Sequence, residues 1–107
     1  MTILVATTRD KTITGTIAAG MTNPHEGHLR GMAVRAAWQG RGIAEQLLAS
    51  AESLLRSRGC RCVSLDTTEP LARAIAFYRR NGYSPTGRIQ DFYGMSLHQF
   101  AKDIAAP

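Results

Sequence analysis

The densest chemistry in this sequence lies in the run Arg35-Ala36-Ala37-Trp38-Gln39-Gly40-Arg41-Gly42-Ile43-Ala44. Gly40 and Gly42 allow a tight turn and let a ligand approach the backbone closely. A helix starting here leaves the N–H groups from Gly40 to Ala44 without partners and pointing outward. Such a start is an anion hole, reinforced by the helix dipole. Arg35 and Arg41 add positive charge beside it. A diphosphate is the natural occupant. The same residues also suit a plain strand-to-helix turn that uses glycine for geometry alone. Two other phosphate loops are excluded. No Gly-Lys-Ser/Thr follows, as a P-loop requires. The Rossmann pattern needs a third glycine and a downstream acid on the next strand.

The flanking residues read as the elements that hold this loop. Ile3 to Thr8 and Thr12 to Ala19 are rich in Ile, Val, Ala and Thr, with Arg9-Asp10-Lys11 as a polar hairpin turn. Gly20 to Gly27 has turn composition. A third strand spans about His28 to Arg35. The simplest arrangement of the three is an antiparallel meander. Then the period changes. Ile43, Leu47, Leu48, Ala51, Leu54 and Leu55 recur at steps of three and four, which predicts an amphipathic helix over 42–57. Gly59 stops it. Arg61 to Thr67 is a fourth strand. Strand, helix, strand implies a right-handed crossover and a parallel pair. A second helix is expected over 70–81, opened by Pro70 and ended by Gly82. Two closing strands are expected, Tyr83 to Ile89 and Phe92 to Phe100.

Length and composition bound the rest. At 107 residues the chain makes one domain over 1–107 and no second, given roughly 150 residues per domain. A hydrophobic fraction of 44% with 20% charged residues excludes global disorder. The net charge is +5, and 11 of the 13 basic residues are Arg, which favours bidentate contacts with phosphate or carboxylate. There is no recognition-helix pattern and no aromatic stacking platform, so no nucleic-acid partner is expected. No apolar run approaches the ~18 residues that would span a bilayer, so no membrane partner is expected. Cys60 and Cys62 have poor geometry for a disulfide and are too few for a zinc site. Reduced thiols suit a cytoplasmic protein. No metal is expected.

Two segments together resemble a known family. Gln39-x-x-Gly42-x-Ala44 is similar to the Gln/Arg-x-x-Gly-x-Gly/Ala signature of the GNAT superfamily of acyl-CoA N-acyltransferases. Ala74-Ile75-Ala76-Phe77-Tyr78-Arg79-Arg80-Asn81-Gly82-Tyr83 resembles that family's Ala-Ile-x-Phe-Tyr-x-x-x-Gly-Phe/Tyr segment. Leu71 stands where many members carry Asn. The resemblance implies an α/β fold. Its mixed sheet has antiparallel N-terminal strands, a parallel central pair with a V-shaped splay, and two main helices.

The resemblance also implies a function and roles. The function is an N-acetyltransferase in which a primary amine attacks acetyl-CoA directly in a ternary complex. The backbone amides from Gln39 or Gly40 through Arg41, Gly42 and Ile43 to Ala44 would bind the coenzyme A pyrophosphate. The backbone of Met32, Ala33 and Val34 would pair with the pantetheine arm like an added strand. An amide near Met32 would stabilise the oxyanion. Tyr78 would protonate the departing thiolate. His28 occupies the place of a glutamate that many members use as general base, and a histidine can take that proton at neutral pH. His25 and Glu26 are weaker candidates for that base, and His98, in the final strand, would line the substrate groove or else lie on the surface. Asp66 and Glu69 would hold a cationic amine, or else form an acid pair at a helix start.

Members of the family usually begin with one strand and two helices that this sequence lacks. Their absence would leave the first strand as an exposed edge. It is compatible with an open site, with a homodimer that completes the groove, or with a coenzyme A-binding module that does not turn over.

Overall fold

A computed structural model describes residues 1–67 and 72–104. The chain runs β1 (Thr2–Thr7), β2 (Ile13–Met21), β3 (Glu26–Val34), a single 3-10 turn (Ala36–Trp38), α1 (Ile43–Ser57), β4 (Cys62–Thr67), α2 (Ala72–Arg80), β5 (Ser84–Phe92) and β6 (Met95–Asp103). The strands form one six-stranded sheet in the order β1-β2-β3-β4-β6-β5. β3 and β4 are parallel, and the other neighbouring pairs are antiparallel. The fold is therefore the mixed α/β arrangement that the resemblance implies. The expected helix start at Pro70, with Glu69 and Leu71, lies outside the described residues.

Two boundaries differ from the sequence pattern, each for a local reason. The loop expected over 20–27 shrinks to 22–25. Thr22 donates through its N–H and hydroxyl to the Glu26 carbonyl, and the Asn23 side chain accepts from the N–H groups of His25 and Glu26. This tight turn lets the ladder run on through Gly20↔His28 and Met21↔Gly27. The closing hairpin turns at Tyr93-Gly94 rather than near residue 90, and Phe92 pairs with Met95. Both turn residues have positive φ, 51° and 83°. A two-residue hairpin loop needs that. Tyrosine rarely takes such a φ, so composition gives no hint of this turn.

Helical spacing puts Leu47, Leu48, Ala51 and Leu55 of α1 into the core. They meet Ile17, Leu29, Val63, Leu65, Tyr83 and Phe100 from the sheet. Glu52 is buried on the same helix face. It accepts a 2.7 Å hydrogen bond from the Tyr83 hydroxyl and a 2.9 Å ion pair from Lys102 Nζ. A buried carboxylate is tolerable only with such partners.

α1 and α2 pack on one face of the sheet, since Tyr78 of α2 contacts Tyr83 and Phe100. The other face carries no helix among the described residues. β1 is an edge strand there, and Ile3 is 70% exposed. No helix among the described residues is long and apolar enough to cross a membrane.

Candidate active site

The site begins with a strand that leaves its neighbour. β3 pairs with β4 only from Glu26 to Leu29, yet it continues to Val34 along β2. The cause is a bulge. Gly31 and Met32 together stand opposite Ile17, between the pairs Ala18↔Arg30 and Thr16↔Ala33. Gly31 has φ +60°. A glycine in this conformation supplies the extra residue, bends the strand and increases its twist. Beyond it, the edge of β3 that would have faced β4 is unpaired among the described residues. The gap is a cleft of about 250 Å³ lined by Gly31, Met32, Asp66, Thr67 and Tyr78 among others.

The gap opens onto the start of α1. Gly40 and Gly42 have φ values of +78° and +79°. A Cβ at either would meet nothing within 4 Å, so conformation and not crowding demands glycine. Gly42 stands at the N-cap of α1, and among the described residues no side chain bonds the first-turn N–H groups. Those donors face solvent space, which is the condition for an anion site. A second groove of about 650 Å³ runs from Met32, Ala33 and Val34 past Gly40, Gly42, Ile43 and Ala44 to α2. It shares Met32 and Tyr78 with the first cleft.

Gln39 makes two hydrogen bonds near the end of β3. Its N–H donates to the Ala36 carbonyl at 3.3 Å, and its side-chain amide donates to the Val34 carbonyl at 3.1 Å. Gln39 therefore fastens the loop to the end of β3, and the free amides begin after it. Arg41 lies over the Trp38 ring at 4.7 Å. Arg35 is exposed. Arg73 and Arg80 of α2 line the groove from the opposite side. Arg80 also reaches Glu45 at 3.5 Å.

Tyr78 is half-buried between Phe77, Tyr83 and Phe100, with ring centroids 5.5, 6.3 and 5.9 Å away. Burial pushes its hydroxyl above the ordinary value of 10. It therefore keeps its proton at neutral pH.

His28 lies on the other face of the sheet. Ser64 Oγ is 2.8 Å from its Nδ1, and Asp66 Oδ2 is 3.5 Å from its Nε2. Burial lowers its pKa below 6.5, the Asp66 carboxylate opposes that shift, and Arg30 reinforces it. His28 is thus neutral near pH 7. The structure brings Asp66 together with His28. It keeps the other candidates apart. His25 and Glu26 are exposed at the β2–β3 turn, where the Glu26 carboxylate accepts from Asn23. His98 is half-buried on β6 opposite Thr67, and neither it nor His28 lines either cleft. Glu69 lies outside the described residues.

Gly31, Ser64 and Arg73 escaped the sequence reading. An isolated glycine inside a strand pattern is a bulge signal. Ser64 and Arg73 carried no signal, since register and helix phase alone place them.

The Acetyltransferase (GNAT) family model matches residues 2–83. An aminoglycoside N(6')-acetyltransferase type 1 from Stenotrophomonas maltophilia is 35% identical over 66 residues, covering 62% of this chain and 43% of that protein. The chain thus spans less than half the length of this curated relative. An acetyltransferase from Bacillus cereus has a similar structure, with a TM-score of 0.80 and 27% identity over 96% of this chain and 72% of that one. A GNAT family acetyltransferase from Elizabethkingia anophelis with acetyl-CoA bound has a TM-score of 0.81 at 14% identity. It covers 95% of this chain and 75% of that one, and the likeness is one of fold.

Proposed function

The chain belongs to the GNAT family of acetyltransferases, and we propose that it transfers an acetyl group from acetyl-CoA to a primary amine in a ternary complex. One observation carries the reading. The unpaired edge of β3 leads directly to the uncapped N-terminus of α1. An extended ligand ending in a diphosphate fits both features at once.

The residues take the following parts. The amides of Gly40 to Ala44 hold the diphosphate, with Arg41 adding charge. Arg73 lies across the groove and supplements it. Met32, Ala33 and Val34 pair with the pantetheine arm through their free backbone edge. An amide at the Gly31-Met32 bulge stabilises the negative charge that develops on the thioester oxygen. The C–N bond forms as the C–S bond breaks, with holding of the two reactants supplying much of the acceleration. Tyr78 gives its proton to the departing thiolate, which is of comparable basicity. His28 takes the proton that the amine loses. Acid and base thus act from opposite faces of the sheet, on either side of the reacting carbon.

The test is a thermal-shift titration with acetyl-CoA, followed by free-thiol release over a panel of amines. The related protein is by name an aminoglycoside acetyltransferase, so an aminoglycoside belongs in the panel beside simple alkylamines. Stabilisation together with amine-dependent thiol release supports the reading. Stabilisation without release from any amine would leave a coenzyme A-binding module. No stabilisation would remove both.

A further inference from the structure

An open sheet ends in two strands whose outer backbone groups lack partners, and proteins guard such edges against stray pairing. In this sheet the two edges differ. β5 carries Pro85, which has no N–H to give, and its ladder with β6 breaks between Pro85 and Ile89. Gly87 lies in that break at φ +87°, and Arg88 and Asp91 add charge along the strand. β1 has none of these features. Thr2–Thr7 holds no charge, proline or glycine. Its ladder with β2 is regular from Thr2 to Ala6 and shifts only at the end, between Ala6 and Thr7. Among the described residues nothing pairs with the backbone groups that β1 turns away from β2. Its side chains alternate. Leu4 and Ala6 pack against the core, while Ile3 and Val5 stand 70% and 47% exposed on the face without a helix.

The contrast between the edges selects the partner. A second copy offering its β5 would bring Pro85 and the broken ladder, and that head-to-tail pairing would run on without closing. Two β1 strands close about a two-fold axis normal to the sheet, which keeps the helix-free faces on one side. Facing residues must then share a face, so their numbers add to an even total. Centring the pair on Leu4 uses the whole regular ladder. Leu4 of one copy faces Leu4 of the other on the helix side. Ile3 faces Val5 on the open side, twice by symmetry, and Thr2 faces Ala6. Such branched apolar pairs stabilise an antiparallel ladder. No charged residue lies between Thr2 and Ala6, so the +5 charge of each copy stays outside the ladder. The gap between β3 and β4 lies two strands in from this edge, so both sites stay open.

We infer that β1 is a self-association edge, at which two copies pair antiparallel through Thr2 to Ala6 with Leu4 at the two-fold axis. The six strands of each copy then form one continuous sheet. The inference stands apart from the acetyl-transfer reading, since no residue of the cleft takes part. One short strand pair makes a small interface, at the low end below roughly 1,200 Å² where transient complexes lie. The dimer therefore forms at micromolar concentrations of chain and exchanges with monomer.

The test is sedimentation equilibrium of the full chain over about 1–500 µM. The mass should rise from that of one chain to that of two, and no further. Ile3→Lys changes an exposed side chain, so the melting temperature at low concentration should hold while the dimer dissociation constant rises at least about tenfold. Disulfide trapping reads the register. Ile3→Cys and Val5→Cys chains, mixed under oxidant, should cross-link to each other. Ile3→Cys alone should not, because its two Cα atoms would lie about 8 Å apart across the ladder. The wild-type chain, with Cys62 half-exposed, is the reference for background cross-linking. A chain that stays monomeric across the range overturns the inference. So does a dimer that Ile3→Lys leaves intact, or growth into higher oligomers. Ile3→Cys chains that cross-link to themselves as readily as to Val5→Cys overturn it as well.

Discussion

Tyr78 and His28 stand on opposite faces of the sheet, His28 in the last stretch where β3 is still paired with β4. Tyr78 packs among the helix-side aromatics, and His28 pairs with Ser64 on the face without a helix. On the proposed acetyl-transfer reading, a carbon held in the gap would meet a proton donor from one side and a proton acceptor from the other.

Replacing Tyr78 by Phe removes the donor and keeps the ring packing. Acetyl-CoA binding, read by thermal shift, should stay within about twofold. Turnover should fall roughly 100-fold, the usual size of a lost general acid. Unchanged turnover would remove Tyr78 from the chemistry.

The pH profile of kcat follows from the two shifts. Turnover needs neutral His28, whose pKa burial lowers below 6.5. The rate therefore falls only as pH drops below that value. Turnover also needs protonated Tyr78, whose pKa burial raises above 10. No descending limb should appear until the pH exceeds 10. A profile that still rises between pH 7 and 9 with saturating amine would contradict His28 as the base.

Gly31→Val tests the bulge. A β-branched residue at φ +60° costs about 1–2 kcal/mol, and the added side chain itself meets open space. A melting temperature lower by roughly 5–10 °C is expected. Because the bulge opens the gap, acetyl-CoA affinity should fall more than stability alone explains. Calorimetric titration below the melting point separates the two.

Glu52→Ala leaves Lys102 and the Tyr83 hydroxyl without their partner under α1. Stability should drop by about 2 kcal/mol, with the site residues in place. Turnover measured well below the melting point should be near that of the unaltered chain. A large loss of turnover in the folded variant would mean that this cluster also shapes the cleft.

Much of this could be read from the residues. The Leu47, Leu48, Ala51 and Leu55 spacing fixes α1, and the glycines of Gly40-Arg41-Gly42 mark the turn that starts it. Tyr78 and His28 came from motif position, not from physics of their own. Other features were hidden because they depend on register. Only the pairing of His28 with Ser64 across two strands distant in sequence puts Asp66 at the imidazole. The hydrogen bonds of Gln39 were hidden too, since the backbone of a 3-10 turn sets them. The Tyr93 turn was illegible because its residue type argues against its φ.

The central claim is acetyl transfer to an amine. Mass spectrometry of an amine panel incubated with acetyl-CoA and the full chain tests it most directly. The account predicts an acetylamide and an equal amount of free coenzyme A thiol, both lost in Tyr78→Phe. Acetyl-CoA binding with no acetylated amine from any panel member, or product formed equally well by Tyr78→Phe, would contradict it.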